Sequence, residues 1–378
     1  MLTVEQSKEL VARGFSRRNF GRLATMVAAG SALPFYNEPA LAQLSMVKDM
    51  PADAVKIDAN ENPMGPCAEA LEAIHRCAAN GGRYMYQETF NMTDTLAEQE
   101  GVKPTYVRAF AGSSAPLHQA VLAFCSPTKP FVMADPGYEQ GAGAAKFLGA
   151  KTIRVPLMKD YSHDVKAMIA ASPDAGLIYI CNPNNPTGTI TKKSDIEWAV
   201  ANKPKGSVIM VDEAYIHLAG ISPCSDMVAA DKDVIILRTF SKVYGMAGIR
   251  AGAAIARPDL LEKIAAYSAG ALPTTGMAAA TASLKVKTLV PERRERIKRI
   301  REENLAFLEK HGYKTVPSVS NKFMVDVRRP ALDVIMALRK ENVYIGRPWP
   351  VWPTSVRVSV GTPEEMAKFQ AAFLKVMA

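Results

Sequence analysis

Leu177-Ile178-Tyr179-Ile180-Cys181-Asn182-Pro183-Asn184-Asn185-Pro186-Thr187-Gly188 runs from an unbroken apolar stretch straight into a turn of amide and hydroxyl side chains. A short apolar run closed by turn residues reads as a strand buried on both faces, with its polar turn at the carboxyl end. The same grammar recurs on either side, at 131–134, 208–211, 234–237 and 251–256. Between these runs lie helix candidates at 115–124, 141–148, 193–201 and 259–269. Strand and helix in alternation predict an α/β fold, a mostly parallel sheet with helices on both faces. Ligands on such sheets bind where the strands end at their carboxyl side.

Beyond Pro291 the pattern changes. A long helix is expected to about residue 311, stopped by Gly312, then a strand at 322–327 and a helix at 331–341. Strands at Val343–Ile345 and 356–360 and a last helix from Pro363 complete a smaller α+β domain. The expected organisation is a large domain over 81–284, a small one over 285–378, and a segment 43–80 that joins the small domain. A chain of 378 residues, 48% hydrophobic and 22% charged, has room for two or three such units, and its balance rules out disorder and coiled coil.

The formal charge is +9. Its densest basic stretch, 293–301, alternates Arg and Lys with Glu and with Ile297 and Ile300, which reads as a solvated helix face and not a nucleic-acid stripe. Small-molecule partners are therefore expected. Five cysteines, Cys67, Cys77, Cys125, Cys181 and Cys224, show no metal-ligand spacing, so no metal is expected and no disulfide is demanded.

Ser16-Arg17-Arg18-Asn19-Phe20, the uncharged run 24–35 and Ala40-Leu41-Ala42 follow the plan of a secretory signal. The apolar run is too short for stable membrane insertion. The paired arginines resemble a twin-arginine export signal, which implies the export machinery as partner, a periplasmic destination and loss of 1–42. The alternative is a basic amphipathic N-terminal helix that stays attached.

Four features fall at strand ends. They are the 182–188 turn, Asp212-Glu213-Ala214-Tyr215, Arg238-Thr239-Phe240-Ser241-Lys242 with Arg250 after it, and Arg357 in a strand of the small domain. A pyridoxal phosphate enzyme needs an amine to link to the cofactor, an acid for the ring nitrogen, donors to the phenolic oxygen and a phosphate cradle. Lys242, Asp212, the pair Asn185 and Tyr215, and the set Thr239, Ser241 and Arg250 can supply them in that order.

Together these motifs resemble the fold-type-I pyridoxal phosphate aminotransferases of class I/II, most closely the histidinol-phosphate aminotransferase-like branch, over about residues 55 to 378. The resemblance implies a seven-stranded-type sheet and a homodimer with shared active sites. It implies that Lys242, Asp212 and Tyr215 are catalytic, that Gly112-Ser113-Ser114 binds phosphate at a helix N-terminus, and that Tyr138 stacks on the pyridine. It makes Arg357 the binder of the substrate carboxylate, with Arg347, Asn62 and Asn185 beside it. In Arg83-Tyr84 the tyrosine resembles one that reaches the neighbouring subunit's cofactor, and Tyr86 is close enough to take its place. Two departures stand out, Ser114-Ala115-Pro116 where the branch carries an acidic pair, and the Trp- and Pro-rich stretch 347–352, which is expected to shape substrate choice. The implied reaction transfers an amino group from an amino acid to a 2-oxo acid. Oxidation, deamination or elimination on the same scaffold, and a non-catalytic binding module, are the alternatives.

Overall fold

The computed structural model describes residues 50–268 and 270–378. The export-signal reading of 1–42 lies outside the described residues, as do the start of the 43–80 segment and residue 269. In chain order the strands are β1 (Val55–Ile57), β2 (Val107–Phe110), β3 (Phe131–Asp135), β4 (Thr152–Pro156), β5 (Leu177–Cys181) and β6 (Val208–Asp212). They continue with β7 (Val234–Thr239), β8 (Gly252–Ile255), β9 (Lys314–Thr315), β10 (Lys322–Asp326), β11 (Val343–Ile345) and β12 (Ser355–Ser359).

Seven strands form one sheet in the order β2-β8-β7-β6-β5-β3-β4. Neighbours from β4 to β7 are parallel, and β8 runs antiparallel to both β7 and β2. Every residue of β5, β6 and β7 is buried, as continuous apolar strands covered on two faces must be. The register sets Cys181 beside Asp212 and Asp212 beside Leu237, so three strand ends open onto one edge.

A second sheet, β12-β10-β9, is antiparallel and places Arg357 opposite Met324. β1 pairs in parallel with β11, Val55 against Val343, which ties the N-terminal segment to chain almost three hundred residues away. The next helix, Ala68–Ala78, packs instead on the helix Thr274–Lys285, with Ala73, Cys77 and Ala278 in one apolar cluster.

Several expectations need adjustment. The helix expected over 259–269 ends at Ala265, in a turn at Ala266 and Tyr267. The long helix is Leu289–Lys310 and begins before Pro291, because a proline in the first turn lacks only an amide that has no helical partner there. Its 293–301 stretch is not wholly solvated. Arg293 and Arg301 share the buried stripe of Ile297 and Ile300, and donate to the carbonyls of Val243 and Ser320. β2, β4 and the helices Tyr86–Glu100 and Thr274–Lys285 carry mixed or Thr- and Gly-containing sequence that has no clean period. All five cysteines are buried and unbridged. Among the described residues no helix is long and apolar enough to cross a membrane.

Candidate active site

Asp212 ends β6 inside the protein, so its carboxylate must be satisfied locally. Tyr179 of the neighbouring β5 donates its hydroxyl to Asp212 Oδ2 at 2.8 Å, and the amide of Ala214 donates to Oδ1 at 3.1 Å. Burial nevertheless pushes the carboxyl up to about 6. Just past the end of β7, Lys242 projects its amine to 3.5 Å from the Ala59 carbonyl and 5.7 Å from the Tyr215 ring centre. Burial, reinforced by the positive charge of Arg357, lowers the amine to about 8. Cys181, at the end of β5, is no rival nucleophile, since burial pushes its thiol up to about 12.

The end expected to take a phosphate is built from three loops. Arg250, held at a left-handed φ of 67°, donates to the carbonyls of Ala111 and Ala247 at 2.8 Å each and reaches Ser241 Oγ at 3.4 Å. Thr239 Oγ1 donates to Ser241 Oγ at 2.9 Å. Gly112 lies at φ 91°, and a Cβ there would come within 2.3 Å of the Arg250 guanidinium, so only glycine lets the loop close on the arginine. Immediately after it begins the helix Ser114–Phe124, with Ser114 Oγ 3.3 Å from the Tyr138 hydroxyl. Burial holds the Tyr138 phenol at about 12, so it stays protonated.

Arg357 enters from β12. Its Nη1 donates to Asn185 Oδ1 at 3.0 Å and its Nη2 to the Asp58 carbonyl. Its Nε has no partner among the described residues. The burial that lowers this guanidinium to about 10 leaves it a cation at neutral pH. Asn60, at a left-handed φ of 54°, donates to the Tyr215 hydroxyl at 3.1 Å and to Asn185 Oδ1 at 3.3 Å.

Asn62 is placed differently from its expected substrate role. Its amide is spent on Val243 O and the Met64 amide, and Asn60 makes the contacts to the site. Arg347 is paired with Glu139. Tyr84 is 70% exposed and stacked on Tyr86, 5.6 Å between rings, so it serves no group within its own chain's site.

Sequence reasoning singled out the segment Asn60-Glu61-Asn62-Pro63 by resemblance but took Asn62, not Asn60, as its contact residue, and it passed over Tyr179, Glu139 and Lys322. Lys322 is fully buried with its amine 3.2 Å from the Tyr215 ring centre and 3.0 Å from Ser320 Oγ. Burial drives it well below the ordinary lysine range. Only its place as the polar first residue of a strand could have drawn attention to it.

An amine lowered toward neutrality, a buried carboxylate with no salt-bridge partner among the described residues, and a cluster of Arg250, Ser241, Thr239 and Gly112 rich in donors fit the functional groups of pyridoxal phosphate. The model of the family described as aminotransferase class I and II matches residues 52–373. The chain belongs to the class I and II aminotransferases. This aminotransferase is 30% identical over 337 residues to a histidinol-phosphate aminotransferase of Moorella thermoacetica, with 86% of each chain covered. It is 31% identical over 325 residues to an aromatic amino acid aminotransferase of Rhodococcus jostii, covering 84% of this chain and 89% of the other. A solved Sinorhizobium meliloti histidinol-phosphate aminotransferase, in complex with pyridoxal-5'-phosphate, superposes with a TM-score of 0.80 at 25% identity, covering 92% and 96% of the two chains.

For this aminotransferase without cofactor, the raised Asp212 carboxyl has a signed consequence. Between its unfolded value near 4 and its folded value of about 6 the native state binds more protons than the unfolded one, so stability falls as pH rises through that window. Asp212→Asn should therefore become progressively more stable than the wild-type apoprotein between pH 4 and 7, by up to about 3 kcal/mol. Urea melts across that range measure the difference. A constant difference between the two proteins at all pH values would contradict the assignment, and adding pyridoxal phosphate to the wild type should reverse the trend.

Proposed function

We propose that this aminotransferase uses pyridoxal phosphate to move an amino group from an amino acid to a 2-oxo acid, as an exported homodimer in the periplasm. The observation that carries the reaction is convergence. The Lys242 amine, the Asp212 carboxylate and the Arg357 guanidinium reach one edge of the large sheet from three separate strands. The cofactor, when bound, supplies an aldehyde for the substrate amine and a ring that takes up the electron pair released at the substrate Cα.

The protein's own residues do the rest. Lys242, its amine lowered by burial to about 8, would serve as the base that takes the proton from the substrate Cα and as the acid that gives it back. Asp212, its Oδ2 oriented by Tyr179, holds a proton on the ring nitrogen. Asn185 and Tyr215 would donate to the phenolic oxygen of the bound cofactor, and Asn60, bonded to both, fixes their side chains. Arg250, Ser241 and Thr239 would hold the phosphate, and Arg357 would hold the substrate carboxylate as a two-pronged donor.

Export rests on the ordered signal features of 16–42, and the dimer on the resemblance of Tyr84, supported by the exposed aromatic group Tyr84, Tyr86 and Phe90. The purified protein, incubated with an amino-acid panel and 2-oxo acids, should yield the exchanged pair by mass spectrometry. Free ammonia or peroxide without exchange would replace transfer with deamination or oxidation. A mature chain still starting at Met1 and confined to the cytosol would refute export, and a fully active monomer by light scattering would refute the shared site.

A further inference from the structure

Glu139 follows Tyr138 directly and occupies the residue before the helix Gln140–Phe147. A polar side chain there commonly turns back onto the first-turn amides. Glu139 makes no such bond, and its carboxylate pairs instead with the Arg347 guanidinium, 208 residues further along the chain. Both partners are largely withdrawn from solvent, with side-chain exposures of 13% and 7%. Arg347 also lies 4.1 Å from the centre of the Trp349 ring, and Arg357 lies 5.2 Å from the same ring. Trp349 is buried and its indole N–H has no partner among the described residues. Trp352 and Tyr161 continue the aromatic wall edge to face, 5.7 Å apart.

Two arginines thus flank one indole, and one of them is already neutralised by the protein. We infer that Glu139 is a specificity-determining residue, which by holding Arg347 selects substrates with an uncharged side chain over those carrying a second carboxylate or a phosphate. The inference rests on the proposed role of Arg357 as binder of the substrate carboxylate. An anionic side chain seeking Arg347 must displace a poorly hydrated carboxylate and then lie beside it, two costs of the same sign. An uncharged side chain meets neither, and finds ring surface at Trp352 and Tyr161.

The test uses the holoenzyme and two unreactive carboxylates, 3-phenylpropionate and succinate, with dissociation constants from isothermal titration calorimetry. The wild type should bind 3-phenylpropionate at least about tenfold more tightly than succinate. Glu139→Gln should tighten succinate by at least about tenfold and change 3-phenylpropionate by less than about threefold. Adding Arg347→Met to that variant should abolish the gain, because the gain depends on the guanidinium no longer held by Glu139 and not on a general loosening of the loop. Wild-type binding that favours succinate, failure of the wild type to bind 3-phenylpropionate, or a gain that survives Arg347→Met would each overturn the inference. Should Glu139→Gln fail to fold, Arg347→Met alone decides, since it must leave the wild-type preference standing. The binding contrast is read without turnover. If it holds while no amino acid is exchanged, the proposed reaction fails and the selection stands.

Discussion

Lys242→Ala is expected to lose turnover by at least about a thousandfold, because positioned proton transfer alone contributes about 10²–10⁴-fold and the covalent link to the cofactor is lost with it. The loss is chemical and not structural. A buried lysine held below its ordinary value binds fewer protons when folded than when unfolded, so at neutral pH its amine is a cost to the native state, relieved only as pH climbs from about 8 toward the unfolded value. In the cofactor-free protein alanine removes that cost, and the melting temperature of that form should stay the same or rise. Thr239, Ser241, Arg250 and Asp212 remain, so cofactor should still bind, without the visible absorbance of the lysine-linked form. Absorbance spectra, calorimetric melting and steady-state rates on one preparation separate these effects. Activity retained in the variant would refute the mechanism. Lys322, the other buried amine nearby, sits on the face of Tyr215 and is bonded to Ser320, which leaves it badly placed to substitute.

Arg357→Ala should give the opposite signature, an intact cofactor spectrum with weakened substrates. Truncating a buried, hydrogen-bonded charge contact costs about 2–5 kcal/mol, or roughly 30-fold to several thousandfold in kcat/KM. The effect should fall mainly on KM for amino acids, and amines lacking a carboxylate should be spared. The substitution also removes one donor each from Asn185 Oδ1 and the Asp58 carbonyl, so some loss of stability is expected beside it. An unchanged KM would refute the carboxylate role. Arg347 would then be the candidate, but only after release from Glu139.

The parts of the site that could be read in advance are those that inherit their position from a strand. An apolar run locates the end of β6, and whatever follows it, here Asp212, must stand at the carboxyl edge of the sheet. The same holds for Thr239 at the end of β7, for Lys242 just past it and for Asn185 after β5. What escaped notice has its position set by a distant partner. Asn60 matters through Asn185 and Tyr215, 125 and 155 residues away, and Glu139 through Arg347. Tyr179 lies within an apolar strand, where a tyrosine reads as packing until its hydroxyl is found on Asp212. Such pairings leave no local period, since nothing in the neighbouring residues records them. The edge strands β2 and β4 were obscure for a related reason, being only partly covered and so mixed in composition.

The pairing of β1 with β11 also bears on the order in which this protein comes into being. Residues 55–62 leave the ribosome early, yet several of their partners arrive near the end of synthesis. Val55 waits for Val343, the Asp58 carbonyl for Arg357, and the Asn60 amide for the Ser359 hydroxyl. The seven strands of the large sheet are all made by residue 255, so the scaffold can assemble while its catalytic edge is still open. Contacts of such long sequence separation are paid for late in folding, after the loops between them have closed. The active site is therefore the last part of the molecule to exist, and a nascent chain interrupted before β12 would hold Lys242 and Asp212 in place with no means of gripping a substrate.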